Sequence, residues 1–391
     1  MKFTYKTTML TCFSGFVAQA IIVNFTPLLF VTFQNSYHIP LSQITLLVTI
    51  SFVVQLLADF SSIFFVDRIG YRTSVVLSQA CAALGLILLT VLPEVMPPFA
   101  GILTAVIIYS AGGGLMEVVL NPIMEGCPTD NKETAMSVLH SFYCWGYVGV
   151  VLLSTVYFAF FGTQSWKLLS CLWAIVPITN ALLFLKTPIG SSGTEGGKGL
   201  SVKELCKNKI FWMFVLVMIC SGASEQGVGQ WTSAFAEKGL GVSKTVGDLA
   251  GTMTFAILMG VARSFYGKFG DRINIERFMT GCTLLCLVAY LIIALSPIPV
   301  LSLIGCAICG FSVGIMWPGN ISRATAAMPM GGTAMFALLA LAGDIGCTAG
   351  PTVVGFVSDA LNGNMQMGIL AAIVFPIILL LCLWHRKKQT K

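Results

Sequence analysis

Residues 112–122 read GGGLMEVVLNP: three glycines, then a carboxylate, Glu117, inside a run that is otherwise apolar. An ionised carboxylate at the centre of a lipid-spanning helix costs roughly 2.5–3.5 kcal/mol, so its presence needs a reason. The surroundings establish that lipid is the setting. Hydrophobic residues make up 56% of the 391 and charged residues 10%, against roughly 25% charged in a soluble domain. An aqueous globular fold is excluded. A span needs about 20 apolar residues, and windows of that kind fall near 8–33, 42–66, 73–92, 98–122, 133–160 and 166–186. Six more fall near 210–235, 246–268, 278–296, 298–320, 333–357 and 365–385. They predict an all-α membrane protein of twelve transmembrane helices, here called spans 1 to 12. The softest boundaries are LPEVMPP between spans 3 and 4, and SPIP between spans 9 and 10.

The loops give an orientation. With both termini cytoplasmic, all but four of the 22 lysines and arginines fall in cytoplasmic segments. The exceptions are Lys167, Lys238, Lys244 and Arg263, the last lying within span 8. The positive-inside rule therefore favours cytoplasmic termini and a multi-pass protein of the plasma membrane. The start, MKFTYKTTML, runs straight into span 1 with no small-residue cleavage site, so the first helix is expected to be retained. The 13 cysteines are scattered through apolar runs and read as small buried side chains rather than a disulfide framework or zinc site. Residues 187–209, rich in Gly, Ser and Lys, read as a flexible cytoplasmic linker between an N-terminal half (1–186) and a C-terminal half (210–391).

The halves echo each other at a spacing near 200 residues. VDRIG (66–70) matches GDRIN (270–274), and SGFVAQ (14–19) matches SGASEQ (221–226), pairing Gln19 with Gln226. GLMEVVLNP has its counterpart in GIMWPGN (314–320), which sets Met116–Glu117 against Met316–Trp317. TAMSVLH (134–140) matches TAMFALL (333–339). Four matches in the same order argue for duplicated six-helix halves related by an axis along the membrane normal.

On these residues the chain resembles the major facilitator superfamily over essentially its whole length. That family's signature loop appears as Asp67-Arg68-Ile69-Gly70-Tyr71-Arg72, with Ile63 in place of the leading Gly. The second copy keeps Gly267, Asp271, Arg272 and Arg277 but has Asn274 for the later Gly. The resemblance implies a gating role for Asp67, Arg68, Arg72, Asp271 and Arg272 as charge-pair latches. Read without it, the same residues only set topology. The motif LMEVVLNP further resembles span 4 of the fucose–galactose–glucose:proton symporter family, whose glutamate falls on Glu117. That implies proton-linked sugar handling. The family's span 1 aspartate is missing; the nearest polar residue is Asn24.

Glu117 is tolerated if it faces a water-filled cavity, is protonated, or has a partner. Asn121, at i+4, shares its helix face and is the natural hydrogen-bond partner. In span 7, Glu225, Gln226, Gln230 and Trp231 lie within two turns, and Gln226 and Gln230 share a face. Two amides, a carboxylate and an indole suit a hydroxylated or mixed polar–aromatic ligand. Gln19 and Asn24 in span 1, His140 in span 5, Trp317 and Asn320 in span 10, and Asp344 in span 11 complete the candidate substrate and proton sites. His140 fits helix packing as well as it fits a ligand, and Asp344 fits a place behind the site or between the two halves as well as one in the site. Asp59 in span 2 reads as a structural or gating residue near the inner surface. Spans 3, 6, 9 and 12 are nearly all apolar and are expected to face lipid.

The expectation is a secondary active transporter working by alternating access. The leading form is a proton-coupled symporter importing a sugar or similar small polar nutrient, with Glu117, Glu225 and Asp344 as proton-coupling candidates. The alternative is a proton-coupled exporter of drugs or metabolites; span 5 has no proline, which weighs towards import. An enzyme is not expected, because His140 is the only histidine within a span and there is neither a paired-His nor a paired-Asp motif. No cofactor beyond the coupling proton, no metal and no nucleic-acid partner are expected. The partners are a small polar substrate and the lipid bilayer, and the chain is expected to work as a monomer.

Overall fold

A computed structural model describes residues 4–128, 132–189, 200–269, 273–328 and 330–389. Among these residues all regular structure is helical, and twelve helices are long and apolar enough to cross a membrane. In the N-terminal half these are Tyr5–Tyr37, Leu41–Ser62, Tyr71–Val95, Pro98–Met124, Val138–Phe161 and Thr163–Phe184. In the C-terminal half they are Lys209–Gly239, Lys244–Tyr266, Ile275–Leu295, Pro299–Ala324, Leu338–Ala360 and Met365–Trp384. The chain divides into two compact units, Met1–Thr194 and Glu195–Lys391.

The breaks between spans follow local backbone chemistry. Spans 4 and 10 each begin on a proline, Pro98 and Pro299, whose missing N–H is one a helix start would leave unpaired anyway. The two softest sequence boundaries are therefore sharp. Gly70 turns the chain between spans 2 and 3 at φ 81° and Gly162 does so between spans 5 and 6 at φ 75°, a region that favours glycine. Spans 1 and 7, partners in the duplication, are both interrupted. Span 1 tightens to a 3₁₀ turn over Thr26–Leu29 at Pro27. Span 7 breaks after Gly229 and ends in a π turn, Phe235–Gly239. Span 8 opens with another π turn, Gly247–Met253.

Within lipid there is little hydrophobic drive between helices, so close packing depends on small side chains. In the N-terminal unit, span 3 lies along span 4. A methyl group at Gly112 would sit 2.5 Å from the Ser78 carbonyl oxygen and 2.9 Å from the Ala82 nitrogen. In the C-terminal unit the same tactic joins spans 7 and 11, where Gly222 meets the backbone of Gly343 and Gly350 meets that of Ala223. Spans 3, 6, 9 and 12 leave rows of large apolar side chains exposed, among them Leu77, Leu84, Leu172, Leu182, Leu284, Leu291, Ile377 and Leu381. That is the lipid-facing character the sequence suggests. Spans 1, 4, 7 and 10 are the most buried.

Two expectations need correcting. Residues 187–209 are not a flexible linker throughout. Ser201 caps a short helix, Val202–Lys207, in a capping box with Glu204, whose carboxyl is held below its usual range by the Ser201 hydroxyl and N–H. Leu205 is fully buried, and the Leu200 N–H donates to the Met330 carbonyl at 2.8 Å. At the other end, Thr187 is buried and the Thr8 hydroxyl donates to the Pro188 carbonyl at 2.7 Å. Residues 190–199 lie outside the described residues.

Arg72, assigned to a charge latch, instead donates to the carbonyls of Phe184, Leu185 and Thr187 at 2.6, 2.9 and 2.9 Å. These are carbonyls at and just beyond the C-terminus of span 6, where a helix lacks internal donors and a cation is favoured. Arg68 is exposed. The side chain of Asp67, and Asp271 and Arg272 altogether, fall outside the described residues.

The close crossing of spans 3 and 4 gives a direct test. Gly112→Val places side-chain atoms against backbone that cannot move aside, and is expected to cost on the order of 1–3 kcal/mol. The thermal midpoint of the detergent-purified protein should fall accordingly. Gly149→Ala, whose added methyl meets nothing within 4 Å, should leave it unchanged.

Candidate substrate and ion sites

In the N-terminal unit a polar seam runs between spans 2 and 4. Ser51, Gln55 and Asp59 are spaced i, i+4, i+8 and so share one face of span 2. Ser110, Gly113, Gly114 and Glu117 form the facing strip of span 4. The hydroxyls of Ser51 and Ser110 are 2.8 Å apart. A carboxylate oxygen of Asp59 and one of Glu117 lie within 4.8 Å of each other. Gln19, from span 1, donates its amide to the Gln55 side-chain oxygen at 3.3 Å.

Asp59, read from the sequence as a structural or gating residue, is thus a neighbour of Glu117. Asn121 does bond to Glu117, but at 3.2 Å to its main-chain oxygen. Asn24 donates to the Ala20 carbonyl at 2.9 Å and to the Tyr143 hydroxyl at 3.4 Å, linking span 1 to span 5. His140 is exposed, with its ring edge-on to Phe16 at 5.1 Å.

The C-terminal unit holds a different cluster. The Arg263 guanidinium reaches Glu225 at 3.2 Å. Gln226 donates to the other Glu225 oxygen at 3.3 Å, and Gln230 donates to the Gln226 oxygen at 3.0 Å. A continuous row, Arg263–Glu225–Gln226–Gln230, therefore runs along span 7, and Glu225, Gln226 and Gln230 are all buried. Trp231 is not an aromatic platform beside it. Its ring is wholly buried, and the indole N–H donates to the Pro351 carbonyl at 2.9 Å, fastening span 7 to span 11.

Asn320 is also wholly buried and donates to the Phe214 carbonyl at 3.0 Å, a brace between spans 10 and 7 rather than a surface for ligand. Trp317 is partly buried, with its six-membered ring against Gly343. Asp344 is partly buried, and its main-chain oxygen accepts from the Thr348 hydroxyl at 2.9 Å.

Three groups escape the sequence reading. Arg263 counts there only as a departure from the loop-charge rule. Yet a lone cation inside an apolar span needs a partner, and that requirement points to Glu225. Gln55 signals itself by its i, i+4 spacing from Asp59 in an apolar helix. The third is a knot at the π-turn ends of spans 7 and 8. Asp248, wholly buried, accepts from the Ser233 hydroxyl at 2.5 Å and from Lys244 at 3.1 Å.

The chain as a whole has known counterparts. The sequence profile of the Major Facilitator Superfamily matches residues 11–351. No curated protein sequence matches significantly. Among solved structures, the E. coli fucose:proton symporter FucP is 16% identical over 98% of this chain and 99% of its own, with a TM-score of 0.68. A bacterial homologue of the human lysosomal transporter Spinster is 16% identical over 97% and 95%, with a TM-score of 0.77. At such identities the likeness is one of fold.

The span 7–span 8 ion pair makes its own prediction. Leaving one charge of a buried pair uncompensated costs about 3–5 kcal/mol, whereas removing both costs much less. Glu225→Gln and Arg263→Gln should each lower the unfolding midpoint, and the double variant should lose less than the sum, with a coupling energy of about 1–3 kcal/mol. Additive losses in tryptophan-fluorescence melts would show that the two charges do not depend on each other.

Proposed function

The chain belongs to the major facilitator superfamily, a family of transporters, and we propose that it is a proton-coupled symporter importing a sugar or similarly small hydroxylated nutrient. It carries the nutrient across the plasma membrane by alternating access, with both termini cytoplasmic. The observation that carries the reading is Glu117. It is a carboxylate on a spanning helix, in a stretch of chain from residue 73 to 131 that contains no lysine or arginine. A carboxyl in that setting is most easily accommodated by taking up a proton, and a carboxyl that cycles between loaded and unloaded forms is what coupling needs.

The geometry separates the two acidic candidates of spans 4 and 7. Glu225 already has a fixed positive partner in Arg263, so it suits orientation of a substrate better than cyclic proton exchange. In the C-terminal unit the side chains offered to a ligand are the amides of Gln226 and Gln230 and the Glu225 carboxylate, and in the N-terminal unit the amide of Gln19. Amides both donate and accept, as hydroxyl groups do, which is the chemistry sugar recognition requires. The matching of FucP, a fucose:proton symporter, to this chain end to end is in keeping with that choice.

The test is uptake into proteoliposomes. A thermal-shift screen over monosaccharides, polyols, amino acids and nucleosides selects the ligand, and accumulation is then measured with the exterior one pH unit more acidic. One coupled proton supports about tenfold accumulation, since one unit corresponds to about 1.4 kcal/mol. Glu117→Gln should abolish accumulation while preserving counterflow exchange of preloaded substrate. Accumulation by that variant with an unchanged pH dependence would remove Glu117 from coupling.

A further inference from the structure

The short helix Val202–Lys207 and the first turns of span 7 bring three lysines and a tryptophan to one exposed patch. We propose that this patch binds the headgroup of an anionic phospholipid. Lys203, Lys207 and Lys209 surround the phosphate, and Trp212 lies against the glycerol and upper acyl region. The site belongs to the C-terminal unit alone, and it stands whether or not a sugar is the cargo.

Residues 203–209 read KELCKNK. Lys203 and Lys207 are spaced i, i+4 in the short helix and share a face with Cys206. Leu205 points the other way, wholly buried in one apolar cluster with Phe211, Phe214, Met328 and Met335. Docking through Leu205 therefore turns the lysine face outward, and Lys203, Cys206 and Lys207 are all exposed. The one acid of this segment, Glu204, accepts from the Ser201 N–H and hydroxyl at 2.8 and 2.6 Å, so its carboxylate is spent on the helix start. No other acid follows until Glu225, which leaves the patch electropositive.

Span 7 continues the patch along its lipid-facing side. Lys209, Trp212 and Leu216 follow at i, i+3 and i+7, one stripe of the helix, and all three are exposed, Trp212 by 53%. Cation, indole and aliphatic chain thus succeed one another in the order that a lipid runs from headgroup to acyl tail. Tryptophan favours the boundary between those zones. Two contacts hold the indole in place. Its N–H donates to the Cys206 carbonyl at 2.7 Å, which sets it beside the Lys203–Lys207 face, and its ring centre lies 6.1 Å from that of Phe211. With the N–H engaged, the ring offers apolar surface, to which the exposed Val202 and Ile210 add.

Charge and polarity together select the occupant. A soluble anion would use the lysines and leave the apolar stripe of Trp212 and Leu216 in contact with nothing of its own. A zwitterionic lipid would cover the stripe but bring its own quaternary ammonium against three like charges. An anionic phospholipid satisfies both parts, since ammonium groups are suited to phosphate oxygens as compact point charges. A lysine beside the end of a span contributes about fivefold to affinity for anionic lipid, equivalent to about 1 kcal/mol.

The experiment uses the full-length protein reconstituted without substrate in mixed vesicles of phosphatidylcholine and phosphatidylglycerol. Bromines are carried on the acyl chains of the phosphatidylglycerol, or on the same mole fraction of phosphatidylcholine. Trp212 emission is obtained as the difference between wild type and Trp212→Phe. Brominated phosphatidylglycerol is expected to quench Trp212 more strongly than the equal fraction of brominated phosphatidylcholine. The relative affinity should fall about fivefold in Lys203→Gln and in Lys207→Gln. Lys203→Gln, Lys207→Gln and Lys209→Gln combined should abolish the preference, and the three corresponding arginine replacements combined should retain it, which separates loss of charge from loss of fold. Equal quenching by the two lipids in the wild-type protein overturns the proposal, as does a preference undiminished in the triple glutamine variant. Loss of the preference on adding sn-glycerol 3-phosphate also overturns it, because the patch is then a site for soluble phosphates. Should the triple glutamine variant fail to insert, the two single variants carry the test, and unchanged affinity in both overturns the proposal.

Discussion

A hydrocarbon interior offers no water, so each polar group carried into it must find its partner within the protein. Nearly every informative feature here follows from that constraint. Backbone groups are satisfied by winding into helices. The carbonyls exposed where span 6 ends are met by Arg72 from the start of span 3. Asparagines are spent on main-chain oxygens one turn away, as at Asn24 and Asn121, or on a neighbouring helix, as at Asn320. The remaining polar side chains gather along span 4 in one half and span 7 in the other.

The duplicated halves solve the constraint differently. Span 7 keeps a carboxylate by giving it an arginine from span 8, then extends the pair into a row of amides. Span 4 keeps a carboxylate beside a second carboxylate and two glutamines, with close-fitting glycines in place of larger side chains. One carboxylate has an arginine 3.2 Å away; the other lies within 4.8 Å of a second carboxylate.

The fold was legible because its signals are long. A twenty-residue apolar window is hard to mistake, and all twelve recur within a few residues of their sequence positions. The i, i+4 pairing of Gln226 and Gln230 was equally plain, since helix geometry alone sets it. Contacts between helices were not legible. Nothing in the primary structure says that Asp59 lies against Glu117, because that depends on the crossing of spans 2 and 4. Trp231 illustrates the limit from the other side: spacing places it near the amides, but only packing reveals that its ring is enclosed and its N–H taken by Pro351. The linker misled through composition. Gly and Ser counts hid a helix fixed by one serine, one glutamate and one buried leucine.

The Arg263–Glu225 pair also bears on how such a sequence can diverge. Either charge alone inside the bilayer is a liability, so a lineage cannot readily lose one and later the other; each single step passes through a less stable protein. The two codons, 38 positions apart, are therefore bound to a common fate. Descendants should carry both residues, or a neutral couple in their place. Span 8 then preserves a record of what span 7 carries, readable in any relative whose structure is unknown.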